Sequence, residues 1–259
     1  MRDILKKIHG NSAMPILNLD ITLFYDLKEE INPELVLADT YQIMQEINTL
    51  NASSNGWHLP GFSLKEIKEN NVFNENGFTD YAKKWYEKDF DKENKSTIKT
   101  LFDKPGNAIL KNTIRYITKD VTNANYNKLG HTNVTLDLNF EKENFDKLKF
   151  IDFIKKLISF RVYPFVMIEV YGYTFNQKQV FSDRLSAGWM LYLPIEIDPA
   201  LVPMAEEIMP VTDKEGEKGS LIITTKEIFD IENQNHINTA NDIEICLRDL
   251  GLLPLYAEV

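Results

Sequence analysis

The chain has 259 residues, of which 43% are hydrophobic, 11% aromatic and 26% charged; these values sit near globular averages and exclude a disordered tract, a coiled coil or a collagen-like repeat. One large domain or two small ones can bury a substantial core at this length. The formal net charge of −10 is regional: residues 196–259 carry 14 Asp and Glu against 4 Lys and Arg, while residues 1–195 balance at 25 against 25. A neutral body with an acidic end points to a basic partner, and the sign of the asymmetry disfavours direct contact with nucleic-acid phosphates. The lone cysteine, Cys246, excludes an internal disulfide. With no cleavable leader pattern and no apolar run approaching the ~20 residues that span a bilayer, a cytoplasmic protein is expected.

Leu17, Leu19, Ile21 and Leu23 alternate with Asn18, Asp20 and Thr22, the period of a strand with one buried face. Asn32 is placed to cap a helix that has Pro33 at its first position and Val36, Ile43, Ile47 and Leu50 at helical spacing. An apolar patch, Trp57 to Pro60, follows a polar turn. The stretch of about 63–129 reads as a polar, mostly helical insertion, with a capping box at Ser63-Leu64-Lys65-Glu66, a charge-dense run from Asp89 to Lys99 and a break at Pro105-Gly106.

Val134, Leu136, Leu138 and Phe140 then repeat the strand alternation, and a helix over about Asn144–Phe160 places Leu148, Ile151, Ile154 and Ile158 on one stripe. The run Pro164 to Tyr171 has the composition of a strand buried on both faces. The two strand-helix-strand layouts share a Leu-Asp pair, Leu19-Asp20 and Leu136-Asp137, which raises an internal duplication as an expectation. Pro194, Pro199, Pro203 and Pro210 punctuate an extended, loop-like stretch, and a β-branched strand covers Ser220 to Thr225. The last helix, about Asn235–Leu250, has Ile237, Ala240, Ile243, Leu247 and Leu250 on one face; Asn235 or His236 is its expected cap, and Gly251 and Pro254 its stop. These elements predict a single α+β domain over 1–259, a mixed or antiparallel sheet with helices packed on it.

Signals for catalysis and cofactors are sparse. His9, His58, His131 and His236 lack zinc-ligand spacing, and the phosphate-loop, dinucleotide-binding and nucleophile-elbow motifs are absent from the sequence, so no cofactor, no metal and no catalytic residue is expected. Cys246 sits in the last helix as a small apolar residue. Asp20 and Asp137 are an alternative: were their strands adjacent, the two carboxylates would converge as paired acids do in a hydrolase, although polar residues on the wet face of a half-buried strand are ordinary. Trp57, Trp85 and Trp189 fit a core better than a ligand pocket.

The C-terminal part resembles the immunity protein 52 family of bacterial polymorphic toxin systems, including type VI secretion. The points of likeness are Gly188-Trp189 before a hydrophobic strand and Pro194, Gly219-Ser220-Leu221-Ile222-Ile223, Phe229-Asp230, Asn235-His236, Ala240-Asn241, Glu244, Leu247, Gly251 and Pro254, with Gly56-Trp57 nearer the start. The resemblance implies a non-enzymatic antidote that binds a cognate toxin related to restriction-endonuclease-like nucleases. Its basic partner agrees with the acidic end, and loops between Pro203 and Gly219 are expected to present Glu206, Glu207, Asp213, Glu215 and Glu217 to it, with Glu244 as either a further contact or a buried hydrogen-bonding group. Trp57, Gly188, Trp189, Gly219, Asn235, His236, Gly251 and Pro254 take structural roles. A structural or adaptor protein of a secretion or phage-tail system is the competing expectation.

Overall fold

The computed structural model describes residues 15–27, 30–51, 56–61, 63–74, 77–104, 110–120 and 130–258. The expected Pro105-Gly106 break and most of the polar turn before Trp57 lie outside them. The described residues form an α+β fold whose centre is β1 (Ile16–Leu27), flanked by β6 (Gly130–Glu141) and β7 (Phe165–Val170). Outward from β6 come β5 (Thr113–Asp120) and β4 (Thr97–Phe102); outward from β7 come β8 (Met190–Leu193), β10 (Lys218–Ile223) and the edge strand β9 (Glu207–Thr212). Every neighbouring pair is antiparallel.

The alternation in β1 does what its period dictates. Leu17, Leu19, Ile21, Leu23, Tyr25 and Leu27 are buried, beneath α1 (Pro33–Asn51) and α4 (Lys147–Ile158), while Asn18, Asp20, Thr22, Phe24 and Asp26 face the other way. Asn32 caps α1, accepting from Leu35 N at 2.9 Å, and Asp146 caps α4. On α4 the buried face is Phe150, Ile151, Phe153, Ile154, Leu157 and Ile158. Leu148, expected on the core stripe, is 74% exposed, because the two phenylalanines rotate the apolar face away from it. A buried polar knot ties α1 to the sheet: Asp39 accepts from Tyr25 Oη (2.9 Å) and Tyr116 Oη (3.0 Å) and pairs with Arg161, satisfying a carboxylate that is only 4% exposed.

Strands β7, β8 and β10 are buried on both faces. Their second face meets α5 (Gln234–Asp249) through Phe165, Met167, Leu191, Leu193, Ile222, Ile243 and Leu247, which is why their sequences are continuous apolar runs. On the β4-β5-β6 half the alternate residues Ile98, Arg115, Lys119 and Asp137 are exposed, so that half keeps a wet face. The helical reading of 63–129 is therefore corrected. That stretch holds α2 (Leu64–Glu69), α3 (Asp80–Lys88), the small β2 (Phe73–Asn74) and β3 (Gly77–Phe78) pair, and two strands that extend the main sheet. Ser63 does cap α2, accepting from Glu66 N at 3.1 Å.

The two strand-helix-strand layouts also diverge. β6, α4 and β7 form a unit whose two strands are parallel to each other and separated by β1. After β1 and α1 the chain instead reaches an isolated bridge at His58 with Asn71 and Phe102.

Candidate functional site

The acidic end folds around β9, β10 and the start of α5. The segment expected to project as loops between Pro203 and Gly219 is mostly the β9–β10 hairpin, paired from Glu207↔Ile223 to Thr212↔Lys218; Pro210 is tolerated because β9 is an edge. This correction separates the proposed acids. Glu206 and Glu207 stand at one end of the hairpin and Glu215 and Glu217 at the other, about 17 Å apart along the strand, and all four are exposed.

Asp213 is not a surface ligand. It is 8% exposed, and its Oδ1 accepts from Glu215 N (2.8 Å) and Glu217 N (3.0 Å), which builds the turn. Glu244 is fully buried. Its carboxylate accepts from Tyr173 Oη (3.0 Å), Val180 N (2.8 Å) and Ala187 N (3.0 Å), so of its two expected roles it takes the buried one. Burial pushes its pKa up, and the two backbone donors pull against that shift.

Beside Glu206 lies a cleft of about 720 Å³ lined by Met204, Glu206, Thr224, Lys226, Glu227, Asn235 and His236, among others. Its walls come from the loop before β9, the segment after β10 and the first turn of α5. Asn233 rather than Asn235 or His236 caps that helix, accepting from Asn235 N at 3.0 Å. His236 instead uses Nδ1 to accept from Asp230 N (3.0 Å), which leaves the ring proton on Nε2. Lys147 reaches in from α4 and donates to Thr225 O at 2.9 Å. Burial lowers its pKa, against the charges of Glu206, Glu207 and Glu227, which favour the ammonium. Glutamates thus outnumber the cations Lys147 and Lys226 at this end of the sheet, an arrangement suited to receiving positive charge.

The remaining family-like residues are structural. Trp57 is buried and donates Nε1–H to Asn48 Oδ1 at 2.9 Å; Trp189 stacks on Phe150 at 5.8 Å. Thr224 Oγ1 donates to Gly188 O at 2.9 Å. A Cβ on Gly219 would fall 2.5 Å from Leu193 O, so only glycine lets β10 pack there. Gly251, at φ +71°, closes α5 in a Schellman motif: Leu252 N bonds Leu247 O (2.7 Å) and Gly251 N bonds Arg248 O (2.9 Å). Pro254 O accepts from Leu185 N at 3.1 Å. Cys246 is partly buried, its Sγ 3.1 Å from Leu201 O, and burial raises the thiol pKa, the opposite of an activated nucleophile.

Asp20 and Asp137 do converge. They are directly opposed across β1 and β6, with Glu169 opposed to Asp20 on β7. Burial, then the charges of Asp137 and Glu169, push Asp20 up to about 7. Neither aspartate lines the cleft at Glu206. Among the described residues no group of three or more His, Cys, Asp or Glu is placed to hold a metal ion, and no helix is long and apolar enough to cross a membrane.

No family model and no curated protein matches the chain. Among solved structures it is similar to the Pseudomonas aeruginosa T6SS protein PA0821, at 10% sequence identity and a TM-score of 0.47, over 93% of this chain and 83% of that one.

Proposed function

We propose that this protein is an immunity protein that binds and neutralises a cognate bacterial toxin, a basic nuclease domain, in a non-covalent blocking complex. The observation that carries the reading is the concentration of the whole −10 charge in residues 196–259, with Glu206, Glu207, Glu215, Glu217, Glu227 and Glu232 all exposed. A domain that must approach nucleic-acid phosphates is itself basic, and an acidic surface competes for that face while steering the encounter. The resemblance to immunity protein 52 supports the same reading. On it the chain performs no chemistry and needs no cofactor, and it acts in the cytoplasm.

The test is co-expression with the C-terminal domain encoded by the neighbouring reading frame. Rescue of growth together with a purified complex supports an antidote; killing that this protein leaves unchanged, with no complex, removes that partner and this reading of it.

A further inference from the structure

Two aromatic rings stand in solvent just beyond β7. Tyr171 is 53% and Phe175 77% exposed, and their rings stack with centroids 6.1 Å apart and 19° between planes. Neighbouring exposed rings forgo the gain of burial and mark contact surfaces, yet this loop is built to hold them out. Tyr173, between them, turns inward: its hydroxyl donates to Glu244 at 3.0 Å and its ring meets Phe229 edge-on at 5.5 Å. Thr174 Oγ1 donates to Glu169 at 2.7 Å, and the same carboxylate accepts from Ser186.

The backbone closes on itself through Tyr173 N to Val170 O, Asn176 N to Gly172 O and Lys178 N to Tyr173 O. Gly172 has φ +100°, and a Cβ there would lie 3.0 Å from Ile231 Cδ1, so the loop presses onto the acidic segment that follows β10. Residues 173 and 174 are fixed on two buried carboxylates, and Phe175 follows them with its ring in solvent. Next to the pair is a cleft of about 340 Å³ that includes Ile16, Val170 and Ile231, with Lys142 and Asp230 as its charged members. Glu232 is exposed on the adjoining turn.

We infer that the stacked pair Tyr171 and Phe175 is the anchor by which this protein grips its partner, a basic protein domain whose apolar pocket takes the rings while its Lys or Arg side chains meet Asp230 and Glu232. The inference rests on the immunity reading above and names the surface that reading uses. Rigid aromatic anchors lose little conformational entropy on binding and carry a large share of affinity in interfaces. Asp230 and Glu232 against Lys142 leave an acidic excess beside the rings, which favours a basic partner over a second copy of this chain.

The test titrates the purified, catalytically inactivated C-terminal domain of the neighbouring reading frame against the unmodified chain, Phe175→Ala, Tyr171→Ala and Phe175→Tyr, with the melting temperature and sedimentation of each. Phe175→Ala is expected to weaken binding about 30-fold or more with an unchanged melting temperature, and Phe175→Tyr to retain affinity. Equal binding by the unmodified chain and Phe175→Ala overturns the anchor and leaves the immunity reading standing. Absence of a complex with the unmodified chain overturns both. A homodimer that Phe175→Ala dissolves assigns the patch to self-association and also overturns the anchor.

Discussion

Asp20 and Asp137 face one another in register across β1 and β6, and burial together with the charges of Asp137 and Glu169 pushes the Asp20 carboxyl up to about 7. Glu169 completes the row on the far side of Asp20. Asp137 and Glu169 are likewise raised, each chiefly by burial.

The first prediction concerns pH. Asp20 in the folded chain, at about 7, lies well above the ordinary aspartate value of 3.8, so its contribution to stability is complete below pH ~4 and is lost as pH rises through about 7. Allowing for the partial solvent access of the pair, the loss is on the order of 2 kcal/mol. Asp20→Asn should therefore be more stable than the unmodified chain at pH 8, with a flatter stability profile between pH 5 and 8 by urea denaturation. Asp137, Glu169 and Glu244 are raised in the same direction, so a residual slope remains. An unaltered slope in the variant contradicts the assignment.

Glu244 should behave as a structural residue. Glu244→Ala strands the Val180 and Ala187 N–H donors and leaves Tyr173 Oη only Asn241 Oδ1 as acceptor, at 3.1 Å, at a cost of about 3 kcal/mol. Glu244→Gln should cost less, because one amide oxygen still accepts. Equal stability of the alanine variant and the unmodified chain in chemical denaturation would contradict the buried role.

Gly219→Ala tests the close approach of β10 to β8. Its Cβ would meet the Leu193 carbonyl and the Tyr192 ring at 2.5 Å, and the forced shift should cost about 2 kcal/mol. A melting temperature within a degree of the unmodified chain would show that the strands separate freely.

Because β9 separates the exposed acids, charge reversal should be tested in pairs. Glu206→Lys with Glu207→Lys alters the cleft shared with Glu227, whereas Glu215→Lys with Glu217→Lys alters only the hairpin tip. The first pair is expected to slow association with the proposed toxin partner about 10-fold at low salt and to reduce its salt dependence, with a smaller effect from the second. Stopped-flow rates at two salt concentrations check this, and equal rates for both pairs would refute the placement.

Much of the sheet was legible because its buried strands obey simple periods. The alternation of β1 and β6, the Asn32-Pro33 start of α1 and the Gly251 stop of α5 each express one local rule, and the structure follows it. β4 and β5 were not legible, since a strand with a wet face and polar residues toward the core breaks the pattern. Lys99 is 3% exposed yet is satisfied by Asp89 at 3.0 Å and the face of Tyr86 at 5.2 Å, a solution that residue type alone does not signal. Asp213 and Glu244 counted as acids in the sequence, but their carboxylates are consumed by backbone donors that only folding brings near. The Tyr171–Phe175 pair lay hidden for a related reason: what holds it outward are Glu169 and Glu244, the second almost 70 positions away in the chain.

The most direct measurement of the central claim is the binding of this protein to the purified C-terminal domain of the neighbouring reading frame, by titration calorimetry at low and at physiological salt. The account predicts a tight one-to-one complex whose affinity falls as salt rises, together with loss of the domain's nuclease activity. No detectable complex at either salt concentration, with that activity unaffected, would contradict it.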